Sequence, residues 1–378
     1  MRVGGDGLHL TYCTSIHPAS GWPAVEESLR AHAPALKARL SPDAPFGLGL
    51  RLSGAESSEL LEGDRLARFR AWLDDQGLYV FTLNGFPHGT FHGQPVKVDV
   101  HAPDWRSEER VRYTSRLAEI LAVLLPDGQS GTISTSPLSY RPWIGDDADG
   151  LATATANVRR VAAALSELCA ERGVHIALAI EPEADGLLAD CQELIRWWPE
   201  DLDREHVTAC FDVCHASVAY ENPAETLRAL ADAGIAVGKV QLSAAIRVAL
   251  GDAEHRRRVG ERLGEFADPV YLHQVTCRDR DGTLVGFPDL PEGLHAVSEP
   301  TAEEVRVHFH VPIFLEGYGE LGCTQGDLRE TIALVRDGSV SSHLEIETYT
   351  WDVLPDELKA SPVDSIAREY AWVLDALG

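Results

Sequence analysis

Two stretches share one design: His175-Ile176-Ala177-Leu178-Ala179-Ile180-Glu181-Pro182-Glu183 and Val207-Thr208-Ala209-Cys210-Phe211-Asp212-Val213-Cys214-His215. Each is a short, mostly apolar run that ends abruptly in acidic residues. A run of this length reads as a strand buried on both faces, as in a parallel sheet. A carboxylate at the end of such a run is costly to bury unless it is paired or bound to a cation. The junction of strand and loop is where α/β barrels build their active sites.

The same beat extends in both directions. Strands are expected at 8–16, 46–52, 78–83, 131–136 and 238–243. Helices are expected between them at 22–40, 57–76, 107–125, 152–172, 187–198 and 222–233, with Pro23 opening one and Gly77 closing another. The beat breaks after Ser243, where 247–266 is charged and helical and a hairpin turns at Asp281-Gly282. It resumes with a strand at 305–314, a helix at 327–335, a strand at 343–349 and a closing helix at 365–377. Repeated βα units imply parallel strands with right-handed crossovers. The expected fold is an α/β protein, a (β/α)8 TIM barrel forming one domain over 1–378. Residues 246–304 are read as an insertion, a lid or interface hairpin, between its seventh and eighth units. A chain of 378 residues suits one such barrel with an insertion. The first βα turn has no Gly-x-Gly-x-x-Gly, which argues against dinucleotide binding.

Composition narrows the function. Hydrophobic residues make up 44% and charged residues 24%, ordinary for a protein with a large core. The net charge of −26 disfavours nucleic acid and anionic lipid as partners. Seven scattered cysteines without a CxxC pair suggest reduced thiols. No signal peptide or membrane-spanning run is read, so membrane insertion is not expected and the cytoplasm is the default.

Polar residues recur at strand ends: Glu181, Asp212, Gln241, the His308-Phe309-His310 run, and Glu345 with Glu347. Converging carboxylates repel one another, so a divalent cation is their natural partner. Carboxylates with an imidazole or an amide suit Mn, Mg, Co or Zn. Each residue also has a structural reading. Glu181, Glu183 or Asp212 could cap a helix, Gln241 could be a satisfied core amide, and one of each pair on a strand face could simply pack. The pattern over successive strands carries more weight than any one residue.

These residues resemble the xylose-isomerase-like superfamily of sugar-phosphate isomerases and epimerases, with its Glu, Asp, His, Glu metal set and its DxxH motif. The resemblance implies Glu181, Asp212 and Glu347 as ligands, with Gln241 or His310 completing the set. It departs from the family pattern where Gln241 replaces a strand histidine. Either Gln241 takes that position or His308-Phe309-His310 is the true seventh strand; the 37 residues from His310 to Glu347 leave room for one helix and favour His310. A narrower resemblance, to the EboE group of metabolite-traffic proteins, rests on 83–89, 133–137, 239–243, 308–312 and 343–351. It implies a secondary-metabolite setting.

On this reading Glu181 and Glu347 double as acid and base, shuttling a proton between adjacent carbons of a hydroxycarbonyl. Asn84, His88, His215, His308, Glu345 and Trp351 face a small polyhydroxy substrate, with Phe86, Tyr140 and Trp143 as apolar walls. Two alternatives stay open. Extra histidines (His88, His92, His273, His308) would suit a phosphoesterase with several zinc ions, and Gln241 in a histidine's place would suit a non-catalytic metabolite carrier. A homo-oligomer and pathway partner proteins fit all three.

Overall fold

A computed structural model describes residues 1–378 except 5–6, 91–94, 351–353 and 355–360. β1 (Arg2–Val3) pairs antiparallel with β2 (Leu8–Tyr12). β2 then joins a parallel set: β3 (Phe46–Arg51), β4 (Leu78–Asn84), β5 (Gly131–Thr135), β6 (Ile176–Ile180), β7 (Val207–Asp212), β8 (Val237–Leu242) and β15 (His343–Ile346). The order runs β2-β15-β8-β7-β6-β5-β4-β3. A parallel bridge from Cys13 to Gly49 and the Thr11 hydroxyl bond to the Gly47 carbonyl (2.9 Å) bring β2 back against β3. The result is an eight-stranded α/β barrel.

Its strands form because their residues are buried on both faces: all positions of β3, β4 and β6 are buried. Capping sets several helix starts. Ser53 accepts from Glu56 N while the Glu56 carboxylate accepts from Ser53 N, a reciprocal box that opens Gly54–Leu60. The single helix expected over 57–76 is in fact two, Gly54–Leu60 and Arg65–Gln76. Gly63 between them takes φ 62°, which a helix cannot continue through.

Between β8 and β15 the chain builds a second sheet: β9 (Ile246–Ala249), β10 (Val275–Asp279), β11 (Leu284–Phe287), β12 (Ala302–Val307), β13 (Gly317–Tyr318) and β14 (Leu321–Cys323), ordered β11-β10-β12-β9-β14-β13. This corrects the barrel strand expected at 305–314. β12 ends at Val307 and pairs antiparallel with β9 and β10. β8 is instead the seventh barrel strand, with Asp212 opposite Gln241 and Gln241 opposite Glu345. An apolar run that can fill one sheet can equally fill another, and the partner is chosen by contacts distant in sequence.

No helix among the described residues is long and apolar enough to cross a membrane.

Candidate metal centre

At the C-terminal ends of its strands the barrel brings together Glu181, Asp212 and Glu347. One carboxylate oxygen from each lies within 4.8 Å of the others, and all three are buried. Glu181 follows β6, Asp212 ends β7 and Glu347 follows β15. Asp212 caps the short helix Val213–Val218. Its Oδ1 accepts from His215 N (2.9 Å) and from the Ser243 hydroxyl (2.8 Å). Capping occupies only that oxygen; Oδ2 is buried and has no hydrogen-bond partner, and Glu181 Oε2 is in the same position. Glu347 Oε1 accepts from Asn84 Nδ2 at 2.7 Å.

Burial and like charge raise proton affinity here. Burial pushes Glu347 well up, and Glu181 and Asp212 add to the rise. Glu181 is raised by burial, with Asp212 adding repulsion. Asp212 goes the other way: burial opposes ionisation, but His215 and the hydrogen bonds from His215 N and Ser243 outweigh it. Three converging, buried carboxylates, two of them with an orphan oxygen (Glu181 Oε2 and Asp212 Oδ2), fit a divalent cation, and oxygen-rich donors suit Mg or Mn, with Co and Zn tolerated.

The histidines arrive from the second sheet. After β12 the chain crosses the barrel mouth, fixed by His308 N to Gln274 O (2.8 Å) and Val311 N to Ala244 O (3.0 Å). His310 gives its Nδ1–H to Glu347 O (2.8 Å), and it forms a set within 4.8 Å with Asp212 and His215. It therefore stands beside the carboxylates through Asp212. Burial lowers its pKa to about 4, so it is neutral and its Nε2 is open as a donor atom.

A cavity of about 50 Å³ lies over this cluster, lined by Asn84, Phe86, Pro87, Val100, Glu181, Glu183, His215, His308, His310, Glu347 and Tyr349. It has room for a few waters and not for a sugar ring. A substrate must therefore displace part of the lining. The segment that carries Val100 is tied to the chain around 270 and 289: Val96 N bonds Val270 O (2.7 Å), and Lys97 Nζ meets Asp289 Oδ2 (2.6 Å).

Several expected site residues sit elsewhere. Glu345 is not on the cavity; it is fully buried in the barrel, with Oε2 2.6 Å from Lys239 Nζ. Gly49 makes room for it, since a Cβ there would lie 1.6 Å from Glu345 Oε1. His88 packs edge-on to Tyr113 and lies 3.7 Å from Glu109, away from the cavity lining. Gln241 is wholly buried, does not line the cavity, and both its amide atoms lack a hydrogen-bond partner. Tyr140 and Trp143 enclose His101 rather than the cavity. Trp351 and His92 lie outside the described residues. Sequence reasoning undervalued Glu183, which reaches the cavity, and missed Tyr349 and Val100. The Glu181-Pro182-Glu183 spacing was a usable signal for the first, because alternate residues at a strand end face the same way.

Among solved structures the chain is similar to a probable 3-DHS dehydratase, AsbF, involved in petrobactin synthesis, from Bacillus anthracis. Identity is 13% over 96% of this chain and 98% of that one, with a TM-score of 0.49. It is similar to an IOLI protein with a binding zinc atom, at 12% identity over 98% of both chains and a TM-score of 0.48. The 3-keto-D-glucoside 4-epimerase YcjR from E. coli matches at 18% identity over 62% of this chain and 78% of its own, with a TM-score of 0.39. No curated protein matches the sequence. A family model described as xylose isomerase-like TIM barrel matches residues 49–268, more than half of the chain. The protein belongs to the xylose isomerase-like TIM barrel family.

Proposed function

We propose that the protein is a divalent-cation-dependent isomerase or epimerase acting on a sugar, cyclitol or related polyhydroxy metabolite. One observation carries this reading: Glu181 and Glu347 flank one buried point with raised proton affinities, while Asp212 stays ionised beside them. A carboxyl whose pKa is raised toward neutrality can both take and return a proton at working pH. A bound cation would polarise the substrate carbonyl and offset the negative charge that grows when the adjacent carbon loses its proton.

The residues divide the work. One of Glu181 and Glu347 removes the proton, and the other returns one to the neighbouring carbon or the opposite face. Asn84 holds Glu347 through its 2.7 Å bond and so fixes the direction from which that carboxylate approaches. Phe86 and Tyr349 supply apolar wall, and the site's burial keeps bulk water from competing for the proton. Family membership supports an enzyme of this kind, and the stretches resembling the EboE group support a secondary-metabolite pathway with partner proteins.

The test is solvent exchange. Protein loaded with Mn²⁺ is incubated in D2O with keto- and aldo-sugars, inososes and their phosphates. Deuterium is expected at the carbon next to the carbonyl of at least one of them, and Glu347→Gln should abolish it. Absence of exchange across the whole panel would sink the proton-transfer reading.

A further inference from the structure

At the opposite end of the barrel, the residues that lead into β6 and β7 form a polar cluster that proton transfer does not use. His175 stands just before β6, and Glu205 and His206 just before β7. The two imidazole rings lie 5.1 Å apart between centroids, inclined by 31°. One ligand atom from each of the three residues lies within 4.8 Å of the other two. This floor is remote from the carboxylate centre. Six steps of chain separate His175 from Glu181 and His206 from Asp212, about 20 Å of strand.

The turn before β7 is built to present its donors. The Asp203 carboxylate accepts from the backbone N–H of Glu205 (2.8 Å) and of His206 (3.0 Å). His206 is buried, and its Nδ1 lies 2.9 Å from the carbonyl of Ile176. A carbonyl only accepts, so Nδ1 carries the hydrogen and Nε2 keeps the lone pair. A ligating histidine is oriented in this way, its second nitrogen donating to a backbone carbonyl. His175 is held less firmly. Its Nε2 is 4.0 Å from Glu205 Oε1, too far for a hydrogen bond, and its Nδ1 is buried with no hydrogen-bond partner. No hydrogen bond from the described residues fixes this ring, so either nitrogen can turn toward the other two donors.

Donors around a tetrahedral zinc ion stand roughly 3.3 Å apart, so the cluster must close by roughly 1–2 Å. The two residues that must move are free to do so: the side chains of His175 and Glu205 are 34% and 72% exposed. His206 is the fixed point on which they close. A bare ion pair between His175 and Glu205 would be a solvated contact of little worth, and it would leave His206 out.

We propose that His175, Glu205 and His206 bind a divalent transition-metal ion at the floor of the barrel. Two imidazoles and one carboxylate favour zinc, cobalt, nickel or copper over magnesium. The ion ties together the N-terminal ends of β6 and β7, the two strands that lead to Glu181 and Asp212 at the mouth. Its role is that of a staple between strands, and the proposal stands whether or not the isomerase reading does.

Chelator-treated full-length protein is titrated with Co²⁺, followed by bound metal and by proton NMR. Glu205→Ala and His206→Gln should each lose one cobalt equivalent relative to the wild type, or bind it at least tenfold more weakly. Mn²⁺ binding and solvent exchange at the mouth should stay as in the wild type. The wild type should show a strongly shifted, exchangeable resonance from the His206 Nδ1–H that is absent in His206→Gln. Glu205 is exposed, so its variant tests the site even if His206→Gln fails to fold. Cobalt binding in Glu205→Ala equal to the wild type in number and affinity overturns the proposal. So does loss of Mn²⁺ binding together with the cobalt equivalent, which would place that equivalent at the mouth.

Discussion

Glu345 and Glu347 stand two residues apart on one strand end and turn to the same side of it, yet they meet opposite surroundings. Glu345 lies inside the barrel, 2.6 Å from the ammonium of Lys239. Glu347, one step nearer the mouth, has the neutral Asn84 amide for a partner and two more carboxylates as neighbours. The inner layer carries its own counter-charge; the outer layer does not. A folded protein bears uncompensated buried charge only where something else will neutralise it, a proton or a cation. The contrast separates a structural acid from a functional one on the same strand.

The largest expected effect lies in the inner layer. Lys239→Met leaves Glu345 charged and unpaired, and should cost about 3–5 kcal/mol in denaturant unfolding. Lys239→Met with Glu345→Leu should recover most of that loss, because two apolar side chains replace a matched pair. If the double variant is as unstable as the single one, the pairing is not what holds the inner layer.

The outer layer should show itself through pH. Burial pushes Glu183 up to about 7 from an ordinary value of 4.5. Below about 4.5 folded and unfolded chains both hold this proton; between 4.5 and 7 only the folded chain does. Its contribution to stability is therefore complete at low pH and is lost as pH rises to about 7. In chelator-treated protein this one group makes a difference on the order of 3 kcal/mol, and Glu183→Gln should flatten the slope over that window. An unchanged slope in the variant would show that Glu183 does not hold its proton in the fold.

Asn84→Ala removes the side-chain hydrogen bond to the Glu347 carboxylate. A smaller effect is expected, about 1–2 kcal/mol in the barrier to substrate deuterium exchange, with the denaturation midpoint little moved. If stability falls and exchange does not, Asn84 belongs with the inner layer. As a control remote from both layers, Arg257 bridges Glu254 and Glu261 on an exposed helix face. Arg257→Ala should leave midpoint and exchange unchanged, as exposed pairs of this kind do.

Much of this arrangement was legible in the sequence. The apolar runs before Glu181 and Asp212 marked strands, and the abrupt acids marked their C-terminal ends. Two things were hidden. Depth was one: alternation places Glu345 and Glu347 on the same side, and nothing local says which of them reaches the mouth. Lys239 could have given it away, since a lysine inside an apolar strand needs a buried acid near it. Sheet membership was the other. The run before His308 looked like a barrel strand, because pairing with β9 and β10 is decided by residues as far away as Ile246 and Val275. The histidines still reach the site, carried across the mouth by the second sheet. His308 and His310 lie beside the carboxylates although the strand expected to bear them belongs to the second sheet.

The proposal rests above all on a divalent cation held by Glu181, Asp212 and Glu347. The most direct measurement is Mn²⁺ binding by chelator-treated protein, followed by the EPR signal of the free ion, in wild type and Asp212→Ala. A tightly bound equivalent is expected in the wild type and its loss in the variant, with folding unchanged by circular dichroism. A wild type that binds no Mn²⁺, or a folded Asp212→Ala that binds it as tightly, would contradict it.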